Sequence, residues 1–365
     1  MTPADLSRTV LHAVRRAVDE DALRAPVPAR VRVERTRPGG SGDYACAVAL
    51  QLAGPAALPA LEVARILRER VAAEPGIERV EITGPGFLSF TLDATAEHHR
   101  ALLDAVREQG LAYGHGDALR DEILQFHHAR EVRAAVTAHA VRRLVISQGA
   151  RVRISCEEAP DPDWARLGVT VDAHGTPPVP LTGIRPVPAG ATAAELLRRL
   201  GPDAARWGLL RSAGHDRAAL GPELLVQGEA NSLFRVRYAH ARIRALTRGA
   251  ALLGFTAEPA PDAERAGHTE PAPFDSAARP LLDLIADHPG VLLAAARHRA
   301  PDRAARQLEA VAHAFFDFHD SCPPLPAGDE KPSAAHRARL ALAEAAGTVL
   351  AGGLSLLGIR APEHL

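Results

Sequence analysis

Asn231-Ser232-Leu233-Phe234-Arg235-Val236-Arg237-Tyr238-Ala239-His240-Ala241-Arg242-Ile243 is the most informative stretch of the 365-residue chain. Arg235, Arg237, Arg242, Arg244 and Arg248 stand there against a single acid, Glu229. On a helix, Arg237, Arg244 and Arg248 fall on one side, with Tyr238 and His240 close by. Arginine for phosphate and a ring for base stacking make an RNA-binding face. The competing interpretation is a solvated arginine face with Tyr238 packed in the core.

Outward from this stretch, the chain from about 190 to the end repeats apolar positions every three or four residues. The pattern breaks at the loop Glu258 to Pro273 and at Pro323, Pro324 and Pro326. Such a pattern predicts a helix bundle. Toward the N-terminus, Leu6, Val10, Ala13, Val14, Ala17 and Val18 recur at helical spacing, and Leu61 to Val71 is amphipathic. Val31 and Val33 start a strand, and Pro38 to Gly42 is a turn cluster. Ile77 to Ile82 and Phe87 to Leu92 alternate about Gly84-Pro85-Gly86, which predicts a hairpin. Tyr44 to Leu52 reads equally as strand or helix. A helix from Ala96 to Gln109 closes this region. In the middle, Ile123 to Phe126 and Arg151 to Cys156 are strands flanking a helix from Ala129 to Gln148. Proline-rich chain from Ala159 to Pro188 reads as a loop or loose linker.

The expected fold class is therefore multidomain α+β. A small α+β domain spans 1–119, a short, partial Rossmann-like α/β segment with its Pro-rich linker spans 120–200, and an all-α bundle spans 201–365.

Composition removes several classes. Lys+Arg number 43 and Asp+Glu 44, for a net charge of -1, so a globally basic nucleic-acid binder is excluded while a locally basic face is not. Only one of those cations, Lys331, is a lysine. Cys46, Cys156 and Cys322 are odd in number and far apart, which argues against a disulfide scaffold and fits a reducing cytoplasm. The nearly apolar run Val349 to Ile359 is too short and Gly-rich to span a bilayer, so no membrane partner is expected. Glu97-His98-His99 and His127-His128 with Cys156-Glu157-Glu158 lack metal-ligand spacing, and no metal is expected.

The string Tyr238-Ala239-His240-Ala241-Arg242-Ile243 resembles the opening of the DALR anticodon-binding domain of arginyl-tRNA synthetases. Ala314-Phe315-Phe316-Asp317-Phe318-His319-Asp320-Ser321-Cys322-Pro323-Pro324-Leu325 is similar to that family's F-x-x-F-x-x-x-C-x-V-L segment. Arg339-Leu340-Ala341-Leu342 and Val349 to Glu363 resemble its last helix and tail. Asp43 to Leu50 and Gly84-Pro85-Gly86-Phe87-Leu88-Ser89-Phe90 resemble the family's additional N-terminal domain, which contacts the tRNA D-loop. The resemblance implies tRNA-binding roles for Tyr238, His240, Arg242, Arg237, Arg244 and Arg339, with the tail from Glu363 to Leu365 near the anticodon, and for Phe87 and Ser89 at the D-loop.

The middle departs from the family. A class I synthetase stabilises the phosphates of ATP with a HIGH-type histidine pair at a helix N-terminus and a lysine-bearing KMSK-type loop. Alignment by the resemblance puts His128-Ala129-Arg130-Glu131 at the first signature and Thr182-Gly183-Ile184-Arg185 at the second. His128 and Arg185 are what remains of the catalytic positions. A carboxylate at Glu131 repels triphosphate, and arginine is no substitute for a mobile lysine. Roughly 80 residues between Ile123 and Leu200 fall short of a complete nucleotide-binding domain.

The expected function is a cytoplasmic, non-catalytic arginyl-tRNA synthetase paralogue that docks an arginine-acceptor tRNA, presenting it to a tRNA-modifying or tRNA-dependent enzyme. A monomer without cofactor is expected. Two alternatives stand beside it. One is an arginine–tRNA ligase-like enzyme, for which ATP would be required. The other is a protein-interaction scaffold that no longer binds RNA.

Overall fold

The computed structural model describes residues 3–36, 40–92, 96–258, 274 and 277–364. Pro38 and Gly39 of the turn cluster, residues 259–273 of the later loop, and Leu365 lie outside the described residues. The chain forms two compact units, Met1–Leu102 and Leu103–Leu365.

In the first unit, helix α1 (Pro3–Asp19) precedes strands β1 (Val33–Arg35) and β2 (Tyr44–Cys46), helices α2 (Val48–Ala56) and α3 (Ala60–Val71), and strands β3 (Ile77–Thr83) and β4 (Phe87–Leu92). The strands form one antiparallel sheet in the order β1-β2-β4-β3. The ambiguous Tyr44–Leu52 stretch is both things in turn. Tyr44 and Cys46 are buried with period two; Val48, Ala49 and Leu52 are then buried on one helical face. Leu6, Val10 and Val14 from α1, Val63 and Leu67 from α3, and Leu88 and Phe90 from β4 close the core with no exposure. Burial of each such large side chain contributes about 1.5–3 kcal/mol. Gly42 (φ +76°) is required where the chain crosses β4, because a Cβ there would stand 2.7 Å from the Phe90 carbonyl oxygen.

Helix α4 (Ala96–Gln109) leads into the second unit. Strand β5 (Ile123–His128), helix α5 (Val132–Ile146) and strand β6 (Arg151–Cys156) form a βαβ crossover with β5 and β6 parallel. Here the structure corrects the expectation of a loose Pro-rich linker. Residues Pro162–Leu167 form a 3-10 turn that buries Trp164 and Leu167. Short strands β7 (Ala173–His174) and β8 (Thr182–Gly183) then join the sheet on its two sides, in the order β7-β6-β5-β8. The prolines are accommodated in the connections between these pieces, where no ladder hydrogen bond is needed.

Helices α6 (Ala193–Arg211), α7 (Ser232–Leu252), α8 (Arg279–His298), α9 (Pro301–Ser321) and α10 (Ala334–Leu357) complete the unit. Thr192 and Glu195 form a capping box at the start of α6, and Gly201 (φ +72°) kinks it before Pro202. Helix α5 is buried on nearly every side, packed among β6, α6, α8 and α10. Helix α10 is apolar enough to cross a membrane, with a mean hydropathy of 1.7, but 72% of that window is buried inside the protein. Its Gly347, Gly352 and Gly353 lie where a Cβ would meet Ile243, the Leu111 carbonyl oxygen and Leu308 at 2.9, 2.9 and 2.5 Å. Small residues there let α7 and α9 approach closely.

Candidate nucleic-acid interface

Helix α7 begins at a complete N-cap. The Asn231 side chain accepts from the backbone N–H groups of Leu233 and Phe234 (3.1 and 3.2 Å) and donates to the carbonyls of Leu224 and Val226. From there the helix presents two polar flanks.

One flank faces α9. Tyr238 is 44% exposed, and its ring lies between Phe234 and Phe316, with centroids 5.6 Å from each and interplanar angles of 5° and 21°. Arg235 donates to His313 Nδ1 at 2.9 Å, and Arg242 donates to His319 Nε2 at 3.4 Å. Exposed Tyr238, with half-buried Phe234 and Phe316 beside it and Arg235 and exposed Arg242 at the edge, offers ring and cation for contact with bases and phosphates.

The other flank faces the C-terminal tail. His240 Nδ1 donates to the Pro362 carbonyl at 2.9 Å, Arg244 pairs with Glu363 at 3.1 Å, and Arg248 reaches His364 at 3.4 Å. Arg237 is three-quarters buried and lies 3.9 Å from the Asp203 carboxylate. Two sequence expectations therefore change. Arg237, Arg244 and Arg248 do share one side, but Tyr238 belongs to the opposite flank. His240 is buried, its proton below the ordinary histidine value because of that burial, and it anchors the tail instead of facing solvent. Arg339 lies half-buried on α10. Phe315, Phe318 and Cys322 are core residues; Phe316 is the member of that segment that joins the column.

In the N-terminal unit, Phe87 opens β4 and is 37% exposed. Ser89 is buried, with its Oγ 2.9 Å from Thr83 Oγ1. Of this pair only Phe87 presents surface to a ligand.

The remaining candidates meet at the carboxyl ends of the parallel strands, where ligands bind in open α/β sheets. His127 pairs in register with Gly183, and Ile184 N–H donates to the His127 carbonyl at 2.9 Å. The two signature positions are therefore neighbours, with Arg185 exposed beside them. His128 is 1% exposed, its ring against Trp164 and its Nδ1 2.8 Å from the Ala129 carbonyl; burial lowers its pKa. Glu131 is the N-cap of α5. One carboxylate oxygen accepts from Ala134 N–H at 2.8 Å and the other from Ala189 N–H at 2.9 Å. Next to it, buried Arg133 donates to the carbonyls of Val187, Leu209, Ser212, Ala213 and Asp216. At this helix end the N-cap position is taken by a carboxylate, and the guanidinium beside it is committed to backbone.

Asp203 and Arg206 on α6 escaped the sequence reading. Arg206 is 1% exposed and donates to the carbonyls of Leu357 and Leu167. Asp203, 8% exposed, receives Arg360. The available signal was two charges three positions apart in the otherwise apolar run Asp203 to Leu210.

Residues 5–92 match the arginyl tRNA synthetase N terminal domain, and residues 236–365 match the DALR anticodon binding domain. An arginine–tRNA ligase of Frankia alni is 27% identical over 562 residues, covering all of both chains. The arginyl-tRNA synthetase of Thermus thermophilus superposes over the whole of both chains with a TM-score of 0.71 at 15% identity. That of Plasmodium falciparum does so over 100% of this chain and 99% of its own, with a TM-score of 0.65 at 9% identity. These two likenesses are likenesses of fold. The chain is an arginyl-tRNA synthetase-like protein, carrying that family's N-terminal domain at one end and its DALR anticodon-binding domain at the other.

Proposed function

We propose that this protein docks a tRNA, an arginine acceptor, without aminoacylating it. The observation that carries this is Glu131, which caps α5 at the position of the second signature histidine in a chain that matches both terminal domain families. Self-capping removes the anion site that adenylate chemistry requires, while Tyr238 and Arg242 remain exposed on the α9 flank. The alignment with the Frankia ligase extends over 562 positions against 365 residues here, which supports a shortened catalytic core. Two docking units on one chain raise affinity through effective concentration. Such a protein acts in the cytoplasm, presenting its tRNA to a modifying or tRNA-dependent enzyme.

The test is filter binding of tRNA across a salt series. The expected result is tight binding that weakens steeply with log salt, as when several phosphates are contacted. Failure to bind at low salt overturns the proposal. The 27% identity to a ligase favours one second reading, arginine activation with unusual residues. ATP–pyrophosphate exchange with arginine, abolished by His128→Ala, would establish that reading in place of the first.

A further inference from the structure

The geometry points to a binding site for a phosphate group in the cleft between α5, α7, α10 and the C-terminal tail, the phosphate borne either by a free nucleotide or by an RNA backbone. The cleft has a volume of about 1040 Å³ and is lined by Arg143 from α5, Arg237 and Arg244 from α7, and Arg360 from the tail. Two carboxylates, Glu344 and Glu363, lie among its walls. Glu344 accepts from Thr247 Oγ1 at 3.0 Å, and Glu363 is engaged with Arg244. The arginines are in excess.

The four arginines are not equally satisfied. Arg360 is paired with Asp203 at 3.0 Å. Arg143 reaches only the Ser355 hydroxyl, at 3.3 Å, and Arg237 lies 3.9 Å from its nearest carboxylate. Among the described residues, the Nε atoms of both Arg143 and Arg237 are buried without a hydrogen-bond partner. A buried guanidinium N–H left without an acceptor costs free energy that an anion reaching it recovers. Phosphate suits this better than a carboxylate, because it brings more acceptor oxygens and a second charge to guanidinium forks arriving from separate elements. The cleft is also larger than a lone phosphate, so a nucleotide unit can seat its phosphate inside.

This site is separate from the aromatic column on the α9 flank. The RNA source rests on the docking function proposed above; the free-nucleotide source does not. Binding of AMP, adenosine and inorganic phosphate to the full chain is measured by equilibrium titration at constant ionic strength, alongside tRNA binding across salt. The variants are Arg143→Gln and Arg244→Gln, with exposed Arg166→Gln as control; unchanged melting temperatures certify their folds. If the source is a free nucleotide, AMP binds saturably, phosphate competes, adenosine does not bind, and each cleft variant weakens AMP about tenfold, the loss of one charge-assisted hydrogen bond. If the source is RNA, AMP binds weakly, but Arg143→Gln weakens tRNA and reduces the salt slope by about one. Cleft variants that leave both AMP and tRNA binding unchanged overturn the site even where tRNA docking stands. Arginine-dependent AMP binding with no tRNA binding supports the cleft and sinks the docking function.

Discussion

Arg360 in the tail holds Asp203 on α6 by two contacts, its Nε 3.0 Å from one carboxylate oxygen and its backbone N–H 3.4 Å from the other. Arg206, one turn along α6, donates to the Leu357 carbonyl at the end of α10. Helix α6 thus fastens the segment that carries Pro362, Glu363 and His364 to α7. The C-terminal Gly358 (φ +72°) turns the chain back over Arg206, and a Cβ there would stand 2.5 Å from its guanidinium.

Arg206→Met is expected to destabilise the second unit by about 3 kcal/mol, since it leaves buried carbonyls of Leu167 and Leu357 without donors. Asp203→Asn is expected to cost less, about 1–2 kcal/mol, because Arg360 remains largely solvated when its partner is lost. Urea titration of both variants checks the ranking. An Arg206→Met protein as stable as the parent would show that the tail is fastened elsewhere.

At the carboxyl ends of β5 and β6, Glu131→Ala removes the N-cap of α5 and the acceptor for Ala189 N–H together. A loss of about 1–2 kcal/mol is expected. Glu131→His restores the residue type of the family signature, yet no ATP–pyrophosphate exchange is expected, because Arg133 remains tied to five carbonyls and no lysine stands near Arg185. Measurable exchange by Glu131→His would mean that a single side chain silenced an otherwise intact site.

Much of this architecture was legible in the sequence. The bounds of α4 and β6 follow from period, and the hairpin of β3 and β4 follows from alternation about Gly84-Pro85-Gly86. What stayed hidden has physical causes. Prolines mark the absence of long regular elements, so the 3-10 turn burying Trp164 and the two-residue strands β7 and β8 left no periodic trace. Charged residues are read as solvated by default, which concealed Arg133 and Arg206, each buried because it satisfies backbone carbonyls from distant segments. Tyr238 and His240 are two positions apart, and on a helix that spacing separates their faces. The split of the interface into an aromatic flank and a tail flank follows from it.

Acid should unfold the second unit through buried histidines. Burial lowers His139 and His288 from the ordinary 6.5 to about 4. Below pH 6.5 the unfolded chain binds protons that the folded chain refuses, so stability falls as pH drops from 6.5 toward 4. Each group contributes up to about 1.4 kcal/mol per pH unit in that window. Urea midpoints at pH 7 and pH 5 measure the loss. His288→Phe retains a ring against Tyr113 and should make the acid limb shallower; an unchanged limb would assign the acid sensitivity to other groups.

Tyr238 tests whether the aromatic flank of α7 contacts RNA. Its ring is exposed and stacked on Phe234 and Phe316, while Val236, Ala239 and Ile243 carry the helix's core contacts. Tyr238→Ala removes two ring stacks and is expected to cost about 1–3 kcal/mol of stability, and to weaken RNA binding by about 1–3 kcal/mol if the ring contacts a base. Tyr238→Phe keeps the ring and should bind nearly as the parent does. Arg242→Gln removes a cation on the same flank, so its effect should shrink at high salt, whereas the Tyr238→Ala effect should persist there. Filter binding of tRNA at two salt concentrations distinguishes the two contributions. If Tyr238→Ala binds as tightly as the parent at both, the aromatic column does not touch RNA, and contact through α7 would have to come from its tail flank.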